Sequence, residues 1–506
     1  MACGFVADGT DDLGPCPRPE RDGGELCPLH AGAAADGDVS VPAAAVWAAV
    51  CADLRSDDER RLVYAGAVVE TLDLSGLAVE TDGIGAVRFV DSTVAGTVDL
   101  SGSAVEQPVV FEGCTLGRLD ASDATFARDV TVADSRVGEG TGGTCLTVRR
   151  ATVEGSFSLD DVTADGSVEF ASLTVETWFE LDGLAVAGGA HFPNAAVERG
   201  QVVDCSFGRS VQFTGLDARH FTVERAAFAE APRFDEAALG TLRFRPAGDV
   251  TCRLEGATIE AGRLDQPAAG RACYDLTDAT VGDVDLDCAA DTLDRYRFYR
   301  TRYDGFPFAA YRSFFRENRW ALHEYAGDPE TDVDLDGLER TYLEARQGAS
   351  VVGDHESAAA LFLREMRYRR RRYADHARDP ARSTGHRVDA TLRWATSAFF
   401  NLVSGYGERP QRTVLASVAL VAASALLYPA LGGLRDGAAI VTYDADGVGA
   451  LGDGLYFSVV TFTTLGYGDL EPVGALARAL VSLKTVEQMV GFEDEGTLRS
   501  LVEQYS

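Results

Sequence analysis

From about residue 60 to about residue 290 the apolar positions recur every eleven residues. Phe89, Leu100 and Phe111 are spaced this way, as are Leu159, Phe170, Leu181 and Phe192. Two residues before each stands another apolar or small residue (Val87, Val98, Val109; Phe157, Val168, Phe179, Ala190), and Val or Leu usually follows five later (Val94, Val105, Leu116; Val175, Val186, Val197). A hendecad helix has the same period. At about 100° per residue, however, the offsets −2, 0 and +5 scatter around a helix and make no face, whereas an apolar-x-apolar pair on a strand points both side chains one way. Connectors such as "DST", "SGSA", "EGC", "DGLA" and "PNAA" supply turns. Units this short cannot bury their apolar row alone, so the pattern predicts a stacked parallel β-helix with two units, ~20 residues or slightly more, per coil.

Near Cys288 the pattern changes. Leu338, Tyr342, Ala345, Ala358, Phe362 and Met366 recur at helical spacing on either side of "VGD", which predicts an antiparallel helical hairpin. "LRWATSAFFNLVSGYGERPQR" reads as an amphipathic helix lying at a membrane interface. Thr413 to Leu434 then runs without a charge, long enough to cross a ~30 Å hydrocarbon core. Behind it, "GLYFSVVTFTT" is a short apolar run suited to a half helix dipping into the membrane.

The repeat units "LDLSGLAVE", "VDLSGSAVE", "LDASDATF" and "FELDGLAV" resemble the pentapeptide-repeat family, whose A-[D/N]-L-x-x units build right-handed β-helices. The resemblance implies an interaction or spacer role and a protein ligand for the solenoid. The hairpin likewise resembles the helical extension that follows some pentapeptide-repeat arrays. No His, Asp and Ser constellation accompanies His191 or His220, so catalysis is not expected and the chain reads as no enzyme.

Charge changes this picture little. The chain has 506 residues with 79 acidic against 46 basic, net −33, and Lys484 is its single lysine. The acidic residues are spread throughout, which reads as a halophilic surface and not as a site for a basic partner. Arg367 and Arg369 to Arg372 form a basic run, read as the cytoplasmic flank of a membrane segment, with no nucleic acid expected. Arg382, Arg387, Arg393, Arg409 and Arg412 precede the apolar span and Asp436, Asp444 and Asp446 follow it, which places the N-terminal domains in the cytoplasm of a cell-membrane protein. The N-terminus has neither a basic start nor an apolar run, so no signal peptide is expected.

Two stretches carry chemistry. Cys3, Cys16, Cys27 and His30 offer three thiolates and an imidazole in a segment almost without apolar residues, ending in "CPLH". A closed structural Zn2+ site is the expectation, with the metal supplying the folding energy. The remaining cysteines, such as Cys114, Cys145, Cys205 and Cys252, sit singly in apolar repeats and read as small core residues. The second stretch is Thr463-Thr464-Leu465-Gly466-Tyr467-Gly468-Asp469. Glycine at alternate positions lets the backbone turn successive carbonyls inward to replace the water around K+. Thr464, Leu465, Gly466 and Tyr467 would supply those oxygens, Tyr467 would brace the loop, and Asp469 would gather cations at the outer mouth. The other Gly-Tyr-Gly, at Gly405 to Gly407, precedes the crossing and is read as a turn.

Leu455 to Asp469 resembles the pore helix and filter of two-transmembrane potassium channels, with Leu465 where Val is usual. The resemblance implies a homotetramer in membrane lipid, passing K+ through four filters on one axis. The departure is the run after Pro472, where Arg478, Lys484 and Glu487 fall within the only span available for an inner helix, each costing ~2.5 to 3.5 kcal/mol near the membrane centre. The inner helix therefore reads as truncated or replaced, and little or no current is expected unless an apolar helix is grafted after Leu483.

The organisation expected is thus a zinc segment (1–55), a pentapeptide-like right-handed β-helix (56–288), a helical domain (289–388), and a transmembrane helix, pore helix and filter with a truncated second helix (389–506). The functional expectation is a potassium-channel subunit with a cytoplasmic solenoid for sensing or assembly. The alternative is a non-conducting, membrane-tethered scaffold.

Overall fold

The computed structural model describes residues 3, 5, 16–20, 25–31, 43–54, 62–79, 85–138, 143–288 and 293–482. Two compact units are present, Met1–Leu361 and Phe362–Ser506.

The first unit is a parallel β-solenoid of about ten turns. Register partners lie one coil apart: Val87 with Val109, Phe157 with Phe179, Phe221 with Leu242, Leu242 with Gly262. Two coils are longer, the first, in which Val63 pairs with Arg88, and the one from Val130 to Phe157. The eleven-residue row is the core. Phe89, Leu100, Phe111, Leu159, Phe170, Leu181 and Phe192 are all buried, as are the partners two before and five after. Strands such as Phe157–Asp160 alternate buried and outer positions, so short apolar-x-apolar pairs suffice to line the interior.

Stacking makes like residues meet. Phe170 lies on Phe192, Phe192 on Phe213 and Phe213 on Phe234, with ring centroids 4.8, 4.7 and 4.6 Å apart. Such pairs contribute about 0.5–1.5 kcal/mol each beyond their burial. Corners of the coils use left-handed backbone, which Asp, Asn and Gly tolerate, at Asp91, Gly113, Asp134, Asp161, Gly183 and Asp204 in one column. Cys114 and Cys205 sit inside, their thiols donating to the Phe89 and Leu181 carbonyls at 3.4 and 3.3 Å. Burial pushes these thiols up to about 11 and about 12, so they are inert core residues.

Strand pairing continues past residue 288, because tyrosines extend the apolar row. Tyr296–Arg297 pairs with Ala272–Asp275, and Arg302–Tyr303 with Thr280–Leu286. Phe298, Phe306, Phe308 and Phe315 then close the end as an aromatic cluster. Numbering helices from the N-terminus, α1 is Ala43–Leu54, α2 is Arg312–Glu317, α3 is Leu335–Val351 and α4 is His355–Arg378. Gly337 and Gly348 let α3 approach Tyr299 and Tyr303 of the last coil closely. The expected turn at "VGD" is present between α3 and α4, with Gly353 at φ +77°.

In the second unit α5 spans Thr384–Val403, α6 Pro410–Ala430, α7 Tyr443–Asp446 and α8 Gly449–Phe462. Among the described residues α6 is the one helix long and apolar enough to cross a membrane. It begins three residues before Thr413 and stops four before Leu434. Pro410 opens the first turn, while at the far end Gly432 (φ +60°) and Gly433 return their N–H groups to Pro429 and Tyr428, a glycine C-cap. A three-stranded antiparallel sheet follows, with Leu434–Asp436 between Ala439–Val441 and Leu470–Pro472. Residues 475–482 are helical. The continuation that would hold Lys484 and Glu487, and with it most of the expected truncated helix, lies outside the described residues.

Candidate pore loop and candidate metal centre

The candidate pore loop is held at both ends. On the incoming side α8 buries one face, Ala450, Gly454, Phe457 and Ser458, a helical i, i+4, i+7, i+8 pattern. Phe457 meets Tyr428 of α6, and Leu434, Val441, Ala450 and Ala477 complete the cluster. Gly454 lies so near the Ala425 carbonyl that a Cβ would collide with it. Pro429, lacking an N–H, leaves that carbonyl without its helical donor, so the close approach falls where α6 is open. On the outgoing side, Arg435 pairs across the sheet with Glu471 and Asp436 with Leu470, tying the chain after Asp469 to the end of α6.

Between these anchors run Thr463 to Asp469. Thr463 caps α8, its N–H and hydroxyl both donating to the Val459 carbonyl at 2.8 and 2.9 Å. The left-handed residues of the loop are Thr464 (φ +57°), Gly466 (+51°) and Gly468 (+77°). Left-handed residues thus alternate with others from Thr464 to Gly468, and only the glycines adopt this region without a Cβ penalty. The alternation at the glycines agrees with their spacing in the sequence. Thr464 is the unexpected member, since a β-branched residue in this region carries strain of order 1–3 kcal/mol. Leu465 and Tyr467 stand exposed, 58% and 68%, in the single chain.

The other Gly-Tyr-Gly is a turn between α5 and α6, with Gly405, Tyr406 and Gly407 all at positive φ. Tyr406 folds back, its hydroxyl 3.1 Å from the Arg370 guanidinium and 2.8 Å from Ser397 Oγ.

Cys3, Cys16, Cys27 and His30 converge in the first unit. Their donor atoms all lie within 4.8 Å of one another and all four residues are buried. Cys3 Sγ and Cys27 Sγ lie 3.5 and 3.3 Å from His30 Nδ1, and Cys16 Sγ is 3.9 Å from Cys27 Sγ. The hydrogen bond between Cys16 and Cys27 lowers the Cys16 thiol against its burial and, together with burial, raises that of Cys27.

The sequence reading missed what frames the loop: Tyr428, Gly454, Phe457 and the sheet. One signal was legible, Gly437, which with Ala438 forms the two-residue hairpin turn, its φ at +56°.

Comparison with known families adds two matches. Residues 417–487 match the family described as "Ion channel", and residues 89–136 match "Pentapeptide repeats (9 copies)". Comparison with curated proteins and with solved structures gives no match. The chain thus joins a β-solenoid, of which one stretch matches pentapeptide repeats, to a C-terminal stretch that matches an ion-channel family.

Proposed function

We propose that the chain is one subunit of a homotetrameric potassium channel in the cell membrane, with its solenoid in the cytoplasm as a sensing or assembly platform. The observation that carries the reading is the alternation of left-handed backbone at Thr464, Gly466 and Gly468, directly behind α8 in a domain matching an ion-channel family. Outward-facing Val414, Leu415 and Val418 on α6 are 62–68% exposed in the single chain, which suits contact with lipid or neighbouring subunits. Arginines before α6 and aspartates after it support a cytoplasmic N-terminus. The solenoid's own ligand would be a protein docking on its strand faces.

A membrane-tethered scaffold without conduction is the second reading, favoured by exposed Arg478 in the helix over 475–482. The test is the purified chain in planar bilayers under a potassium–sodium gradient, with chemical cross-linking to count subunits. A reversal potential near the potassium equilibrium value from four-chain assemblies is the expected result. Equal passage of sodium would overturn the selectivity, and inserted but silent protein would establish the scaffold.

A further inference from the structure

The first coil of the solenoid has an edge that no earlier coil covers. Among the described residues Val63–Ala65 pairs as a strand with Val87–Val90 on one side only, and an open strand edge is a template for unwanted pairing. The segment bearing Cys3, Cys16, Cys27 and His30 covers that edge. His30 Nε2 is 2.8 Å from the Ala65 carbonyl, the Leu29 carbonyl accepts from the Val68 N–H at 3.0 Å, and Arg18 Nη2 donates to the Val63 carbonyl at 3.1 Å. Arg18 also pairs with buried Asp53 of α1 at 2.6 Å and lies over the Tyr64 ring, 4.3 Å from its centre. Phe5 stacks on His30 with centroids 4.0 Å apart.

These contacts fix how the imidazole can act. Since a carbonyl only accepts, Nε2 carries the proton toward Ala65, and Nδ1 turns its lone pair to the sulfurs. A tetrahedral zinc with Zn–S of about 2.3 Å and Zn–N of about 2.0–2.1 Å requires edges of roughly 3.8 Å between sulfurs and 3.6 Å between sulfur and nitrogen. Three of the six edges, at 3.9, 3.5 and 3.3 Å, already approximate them, and all six lie within 4.8 Å. Three thiolates and a neutral imidazole leave the centre with a single negative charge. Arg18, whose Nη1 is 3.7 Å from Cys16 Sγ, and the Cys27 N–H, 3.2 Å from Cys3 Sγ, face that charge.

We propose that Cys3, Cys16, Cys27 and His30 bind one Zn2+, and that this metal locks the N-terminal segment as a removable cap on the first coil of the β-solenoid. The four donors close the coordination sphere, so the site is structural and leaves no position for a substrate. Few apolar residues in the segment can hold it in place, so the metal supplies the cap's folding energy.

The experiment uses the full-length chain purified under reducing conditions. Elemental analysis should find about one zinc per chain, released by a mercurial thiol reagent, and Co2+ exchanged into the site should show thiolate charge-transfer absorption. Cys27→Ser and His30→Ala should each lose the metal. Should these variants misfold, chelation of wild-type protein gives the same answer by hydrogen exchange: amides of Val63–Val69 should exchange at least tenfold faster without metal, while Phe170–Phe213 stay protected. Wild-type protein without zinc and without a cobalt–thiolate band, or zinc retained by both variants, overturns the site. Unchanged exchange at Val63–Val69 after verified metal removal overturns the cap.

Discussion

Tyr428 and Phe457 meet edge to face, ring centroids 5.1 Å apart and planes at 84°, and this contact joins the apolar helix to the helix that carries the pore loop. One turn earlier on the second helix, Gly454 sits against the Ala425 carbonyl where no side chain fits. Gly454→Val should therefore prise α6 from α8 and lower the melting temperature of the detergent-solubilised protein. A Tyr428→Leu/Phe457→Leu double-mutant cycle should return a coupling of about 0.5–1.5 kcal/mol. Additive single effects, together with a silent Gly454→Val, would show that the two helices do not depend on this interface.

The solenoid makes a sharper demand. Phe170 and Phe192 are buried and stacked on each other, so Phe170→Asp or Phe192→Asp places an unpaired carboxylate in a dry apolar row. Each should cost several kcal/mol and unravel neighbouring coils, read as faster hydrogen exchange across Phe157–Phe213. Glu180, on the outward side of Phe179–Asp182, should accept Asp with almost no effect. Equal protection in all three variants would be incompatible with the stacking register.

The reach of the sequence follows from how local each determinant is. An eleven-residue period is written into the coils from Phe89 to Phe111 and from Leu159 to Phe192, so their buried positions are legible without knowing the fold. The convergence of Cys3, Cys16, Cys27 and His30 is legible only as a residue inventory. Their spacing is irregular, and the force that gathers them includes backbone contacts to the first coil that no local pattern announces. Strand pairing beyond Cys288 escaped because Tyr296 and Tyr303 replace the aliphatic signal with aromatic residues. Pairing of Leu434–Asp436 with Leu470–Pro472 escaped because its two strands are short and far apart in sequence.

Asp354 offers a pH test. Its carboxylate accepts from the Ser357 N–H and hydroxyl at the start of α4 and pairs with Arg312 at 2.6 Å. Burial pushes its pKa up, but the Ser357 and Arg312 hydrogen bonds outweigh it and hold the group below its ordinary value. A carboxylate depressed in the folded state stabilises at pH above its unfolded pKa, about 3.9, and loses that contribution as pH falls through the lower folded value. Asp354→Ala should thus cost about 1–2 kcal/mol of local stability at pH 7. Amides of Ser357 to Leu361, corrected for intrinsic exchange, should report the loss, and the difference from wild type should shrink below about pH 3. A difference that persists unchanged into acid would mean the carboxylate's charge is irrelevant.

The two Gly-Tyr-Gly sequences form a matched pair for testing the pore. Gly405 and Gly466 have similar φ, +59° and +51°, so an added methyl imposes left-handed strain of about 1–2 kcal/mol at either position. Only their places differ. Gly405 belongs to the turn between α5 and α6, and a Cβ there meets the flexible side chain of Arg409, which can yield. Gly466 lies between Thr464 and Gly468 in the alternating loop, where a change of φ rotates the carbonyls proposed to face the ion. Gly466→Ala should therefore abolish potassium-selective flux in liposomes, while Gly405→Ala should keep the wild-type preference even if it melts somewhat earlier. Loss of selectivity in both variants would trace the effect to general destabilisation, and retention of potassium preference by Gly466→Ala would remove Thr463–Asp469 from the filter.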